Sequence, residues 1–154
     1  MINIVKLRDR RNSTKNNHIS ENTDLKDMDK VVHFEIPFND KERAEKFYKD
    51  IFGWEMSKVD EMDYTFVNTV PVDENQIPTE PGAINGGLTM RNAPGETPVL
   101  VINVASIDEY VKKVEDNGGK VVAPKNKVRN MGLYARVSDT ESNVIGLWED
   151  LPKS

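Results

Sequence analysis

Outside a polar N-terminal stretch the chain has one histidine, His33, and two residues further on stands Glu35. Both fall in the apolar run Val31-Val32-His33-Phe34-Glu35-Ile36-Pro37, which reads as a strand. On a strand, residues two apart share a face. Val32, Phe34 and Ile36 then face one side, and His33 and Glu35 the other. A carboxylate inside a strand is unusual, and beside an imidazole it can share a proton or hold a ligand's polar group. Its plain alternative is a strand face open to water. His33 has three readings: a former metal ligand now hydrogen-bonded, a general acid or base of ordinary imidazole pKa, or a structural histidine. Tyr134 and Arg136 alternate with Leu133, Ala135 and Val137 in the same way. Arg136 can grip an anionic group or pair with Glu35. Tyr64 alternates with Phe66, and Trp148 offers an aromatic wall or a wet rim residue. Asn103 sits on a second strand near the place that Glu35 takes on the first.

These residues are positioned by a unit that occurs twice. Val31–Pro37 leads to Asn39 as N-cap, with Glu42 at capping-box spacing, and a helix that stops at Gly53. Leu100–Val104 leads to Ser106 with Glu109, and a helix that stops at Gly118-Gly119. The repeat measured cap to cap runs from Asn39 to Ser106. Ala44, Phe47, Tyr48, Ile51 and Phe52 form one apolar stripe, and Ile107, Tyr110, Val111 and Val114 the other. Phe47, Tyr48 and Phe52 are expected in the core. Strand-like segments follow at 54–59, 64–70 and 83–90, then at 120–123, 133–138 and 144–149. Gly86-Gly87 within one of them suggests a bulge or a close backbone approach to a ligand. Residues 71–82 form a long loop. The order β-α-β-β-β, twice, predicts an α+β fold with helices on one face of a largely antiparallel sheet.

The run His33-Phe34-Glu35-Ile36-Pro37, then Glu42-Arg43-Ala44, Phe47-Tyr48 and Phe52-Gly53-Trp54, resembles the vicinal-oxygen-chelate superfamily. So do Ile107-Asp108-Glu109, Gly118-Gly119-Lys120-Val121-Val122 and the closing segment 139–149. That superfamily includes glyoxalase I, extradiol dioxygenases and bleomycin-resistance proteins. The resemblance covers residues 31–150 and implies two βαβββ modules, about 31–90 and 99–150, joined by a linker at 91–98. Together they make a glyoxalase-like domain over 30–151. It also implies a mixed sheet curled into a cup with helices outside, and His33 and Glu35 facing the cup. Metal enzymes of the superfamily place one ligand on the first and one on the last strand of each module. His33 matches one such place. The second module offers Val99 there, the strand 83–90 has no Asp, Glu or His, and Gly146 stands where a carboxylate is usual.

A full metal site is therefore not expected, and no cofactor is; a divalent ion, were one bound, would draw on His33, Glu35 and a recruited Glu149. By alternation Glu149 points away from the cup. The ligand-binding candidates are His33, Glu35, Tyr64, Asn103, Tyr134, Arg136 and Trp148. Three functions remain open: a binding protein for a small molecule, as the resemblance to drug-binding bleomycin-resistance proteins implies; a metal-dependent lyase, isomerase or dioxygenase using His33; or a partner-binding regulatory module. Whether the chain is an enzyme stays open, as does monomer against homodimer.

Composition narrows the partners. The net charge of −5 in 154 residues argues against nucleic acid, and the basic cluster from Lys6 to Arg11 lies in the polar stretch. Residues 1–29 hold little to bury after Val5 and Leu7 and read as a disordered extension; residues 2–7 as a short strand or interface arm is the alternative. No run reaches the roughly 20 apolar residues of a membrane span, and no secretory leader is recognisable. With no cysteine, the expected location is the cytoplasm.

Overall fold

A computed structural model describes residues 28–59 and 63–152. The expectations for residues 1–27 lie outside these. Two residues of the expected extension, Met28 and Asp29, are described, and the Asp29 carboxylate accepts a hydrogen bond from the Tyr110 hydroxyl at 2.5 Å.

The elements run β1 (Val31–Phe38), α1 (Lys41–Phe52), β2 (Glu55–Lys58), β3 (Tyr64–Asn68) and β4 (Gly86–Met90). The second set is β5 (Val99–Asn103), α2 (Ile107–Asp116), β6 (Lys120–Val128), β7 (Gly132–Ser138) and β8 (Val144–Asp150). This is β-α-β-β-β twice, as the spacing predicts. All eight strands join one mixed sheet in the order β2-β3-β4-β1-β5-β8-β7-β6. That order is the same read from either end once β1 is exchanged for β5, β2 for β6, and so on. The modules meet where β1 lies antiparallel to β5, with His33 opposite Val101 and Glu35 opposite Val99. Within each module the first strand lies parallel to the fourth.

The cap of α1 differs from expectation. Asp40, not Asn39, is the N-cap, and its side chain accepts from the Arg43 amide at 2.9 Å. Asp40 has the extended backbone (φ −137°, ψ 111°) that the cap position requires. The repeat therefore runs from Asp40 to Ser106, which maps His33 onto Val99 and Glu35 onto Val101. The register agrees, since Val99 and Val101 stand opposite Glu35 and His33 and share their face. Gly53 ends α1 in the left-handed conformation (φ 69°).

The helices cover the outer face unequally. Beneath α2, Val104, Ile107, Ala135, Val137 and Leu147 form a closed core. Beneath α1, Phe38, Val67 and Leu88 are buried, with Phe34, Ala44, Tyr48 and Trp54 packed on them. The buried Thr65 hydroxyl donates to Glu45 of α1 at 2.7 Å. The expectation that Phe47 and Phe52 are core fails: they are 54% and 56% exposed, and Ile51 is 62% exposed. Ala44 and Tyr48 lie against the sheet, and Phe47 and Ile51 fall on the flank away from Glu45. Helical period defines a stripe; the width of the packed face decides how much of it is covered.

Gly86-Gly87 makes no bulge, because β4 pairs in continuous register with β1 and β3. The glycines make room for rings on both faces. A Cβ on Gly86 would strike Phe34 outside, and one on Gly87 would strike Tyr64 inside. No helix among the described residues is long and apolar enough to cross a membrane.

Candidate functional site

The concave face encloses a cavity of about 580 Å³. Each module supplies side chains through equivalent positions. In module 1, β3 pairs Phe66 with Gly87 and Tyr64 with Thr89. In module 2, β7 pairs Arg136 with Gly146 and Tyr134 with Trp148. In each half a tyrosine ring lies over a glycine of the module's last strand: Tyr64 over Gly87, Tyr134 over Gly146. Trp148 similarly covers Gly132.

Both tyrosine hydroxyls reach β1. Tyr64 Oη lies 2.6 Å from His33 Nε2. Tyr134 Oη donates to Glu35 Oε2 at 2.8 Å and accepts from Arg136 Nε at 3.1 Å. Arg136 completes the set: one terminal nitrogen bonds Glu35 Oε2 at 2.6 Å and the other bonds Glu96 Oε1 at 2.7 Å. All three charged side chains are largely buried, at 13% exposed for Glu35, 17% for Arg136 and 15% for Glu96. Such a cluster holds because each nitrogen of the guanidinium donates to a neighbour and two carboxylates face one cation.

The electrostatics follow from burial. Burial lowers the His33 pKa below the ordinary imidazole value, and the Glu35 charge only partly opposes this. Burial also raises both tyrosines, with the Glu35 charge adding to it, so each hydroxyl keeps its proton. Burial works against the Arg136 charge, and the bonds to Tyr134, Glu35 and Glu96 overcome it, raising its pKa. Burial likewise pushes Glu96 upward, but bonds from the Asn92 amide and Arg136 outweigh it and hold the carboxyl below its usual range. At neutral pH the His33 imidazole is thus uncharged beside the ion pairs of Arg136.

Of the seven candidates, His33, Glu35, Tyr64, Tyr134, Arg136 and Trp148 line the cavity. Asn103 does not. It closes β5, and its amide donates to Asp150 at 3.1 Å. The Trp148 indole N–H bonds the same residue at 2.9 Å. Glu149 turns to the outer face and accepts from the Ile107 amide at 2.7 Å. Val32, expected outside, borders the cavity, because register shifts between Val31 and His33. Glu96 was not anticipated. It lies in the linker, which Arg91 anchors through Asn39, the Pro37 carbonyl and the Glu96 carbonyl. An acid in a linker rich in turn residues gives little signal that it will reach a cation forty residues away.

Residues 30–69 match the family model described as bleomycin resistance protein-like N-terminal. A glyoxylase-like domain-containing protein of Didymella fabae is 34% identical over 94 residues, covering 58% of this chain and 69% of the relative. A putative glyoxylase of Mycobacterium bovis is 26% identical over 129 residues, and this chain spans 43% of that longer protein. A crystal structure of a glyoxalase/bleomycin resistance protein/dioxygenase superfamily member from Vibrio splendidus 12B01 superposes with a TM-score of 0.53 at 13% identity. The match covers 80% of this chain and all of that one. The chain belongs to the glyoxalase and bleomycin-resistance group of the vicinal-oxygen-chelate superfamily.

The cup does not fit the metal that enzymes of this superfamily hold. Among the described residues no three of His, Asp and Glu stand together as a ligand set. On the first strands, His33 is matched across the repeat by Val99. On the last strands, Gly87 and Gly146 bring no ligand atom, and tyrosine rings fill the space above them. Glu35 gives Oε2 to Tyr134 and Arg136, so with His33 it leaves too few donors for a closed ligand set.

Proposed function

We propose that this protein binds a small organic molecule in its cup without a metal ion. The observation that carries the reading is the cavity floor. Tyrosine rings cover Gly87 and Gly146, and Glu35 is paired with Arg136, which favours an organic ligand over an ion. The cavity size falls within the range of small-molecule sites, roughly 300–1,000 Å³. Its walls combine an apolar surface from Phe66, Val101 and Trp148 with a few polar groups, the usual make-up of a ligand pocket.

The test is a thermal-shift screen of chelator-treated full-length protein against small aromatic and polar compounds. A ligand at about one hundred times its Kd stabilises by roughly 2.7 kcal/mol, a shift of several degrees for a chain of this size. Stabilisation unchanged by chelator is expected. Stabilisation seen only with added metal, or with no compound at all, overturns the reading.

A second reading rests on the His33–Tyr64 pair. A neutral imidazole bonded to a protonated phenol, both on the cavity, suits proton transfer to or from a bound substrate. His33→Gln would then abolish turnover of a bound substrate while leaving its affinity within about threefold; loss of affinity alone would assign His33 to binding.

A further inference from the structure

The geometry points to a ligand that presents a cationic nitrogen to Glu35 and lays a flat apolar body against the cup's aromatic wall. This inference rests on the cup being the ligand site. Arg136 is the one cationic side chain among the described residues lining the cavity. Each of its three nitrogens already donates to the protein, to Tyr134, Glu35 and Glu96. Its charge is matched by two carboxylates, and an incoming anion would be repelled by both. Glu96 has a donor on each oxygen, Arg136 on one and the Asn92 amide on the other.

Glu35 is different. Both of its hydrogen bonds fall on Oε2, from Tyr134 and Arg136. Among the described residues nothing donates to Oε1, and Glu35 lines the cavity. A carboxylate oxygen with unused lone pairs in a sheltered site is a strong acceptor. The network carries one net negative charge, because Glu35 and Glu96 outnumber Arg136 while His33 stays neutral. The Tyr134 proton goes to Glu35, and Tyr64 is engaged with His33. The second oxygen of Glu35 is thus the charged acceptor that the floor turns to a ligand. Phe66, Tyr64 and Trp148 supply aromatic faces, against which a delocalised cation is also favourable.

The test compares three isosteres, 2-naphthamidine, 2-naphthamide and 2-naphthoate, by calorimetric titration of the full chain at pH 7.5. A charge-assisted bond to a sheltered carboxylate predicts the amidine at least about tenfold tighter than the amide, with the naphthoate weakest. Glu35→Gln should bring amidine and amide to nearly equal affinity, and Glu35→Asp should restore part of the preference. The wild-type ranking needs no variant, so it decides the matter even if Glu35→Gln folds poorly. Equal binding of all three, or a preference for the naphthoate, overturns the ligand class and leaves the cup reading standing. Binding of none of the three overturns the class too, and the thermal-shift screen then judges the cup reading by itself.

Discussion

The two halves of the cup share one backbone plan and divide the chemistry unequally. On the first strand, module 1 has His33 and Glu35 where module 2 has Val99 and Val101. On the third strand, module 1 has Phe66 where module 2 has Arg136. Both keep a tyrosine over a glycine, Tyr64 over Gly87 and Tyr134 over Gly146. The anion thus comes from one half and its cation from the other, and the bond between them crosses the module boundary at 2.6 Å. A repeat fixes where side chains point. Which of them carry charge is free to differ, and here the difference turns two similar faces into one network.

The outer face is unequal in the opposite sense. Module 2 buries Ile107 completely at the start of α2, whereas no residue of α1 is buried. The half that supplies His33 and Glu35 has the less covered helix.

The comparison makes quantitative predictions. The largest concerns the charge that joins the halves. Arg136→Met leaves Glu35 and Glu96 without their cation and should cost about 3 kcal/mol or more in urea unfolding. A loss below about 1 kcal/mol would mean that the network is well hydrated and does not couple the modules. Next, Ile107→Ala should cost about 2–5 kcal/mol, and Ile51→Ala on the exposed flank of α1 well under 1 kcal/mol. Similar losses at both positions would show that the α1 flank is covered in solution. Gly87→Ala and Gly146→Ala should each cost about 1–3 kcal/mol, since a methyl group there displaces a tyrosine ring. The near-ultraviolet circular dichroism should change with them, and an unchanged spectrum would contradict the packing of ring on glycine.

The smallest effect is in pH. His33 has a folded pKa below its ordinary 6.5. The unfolded chain therefore takes up the proton first, so stability is full above about pH 6.5 and falls as pH drops below it. His33→Gln should flatten the stability profile between about pH 6.5 and 5. Glu96, held low by its bonds, adds stability that is present above about pH 4.5 and lost further down. A wild-type profile that rises on acidification through 6.5 would contradict the burial of His33.

Much of this arrangement is legible in the sequence because strand alternation is a strong constraint. Once β1 and β7 are placed, His33, Glu35, Tyr134 and Arg136 have only one side on which to lie with their apolar neighbours packed outside. The reading loses force where alternation stops. Asn103 has the inward phase but ends its strand, and Asp150 takes its amide. Val32 sits at a shift in register. Asn39 and Asp40 are both good caps, and only the backbone selects one. Glu96 lies in no periodic element, so nothing local announces that it closes the network. The glycines misled for a related reason: a strand glycine signals a close approach without saying by what, and here it is the protein's own tyrosine.

The most direct test of a cup closed by its own side chains is elemental mass spectrometry of protein purified without chelator and without a metal-binding tag. The account predicts transition metals far below one per chain, and no gain of metal on dialysis against zinc, nickel, manganese or iron(II). A stoichiometric ion that is lost in His33→Ala would contradict it, because His33 would then have to leave Tyr64 and the glycines opposite would no longer explain the floor of the cup.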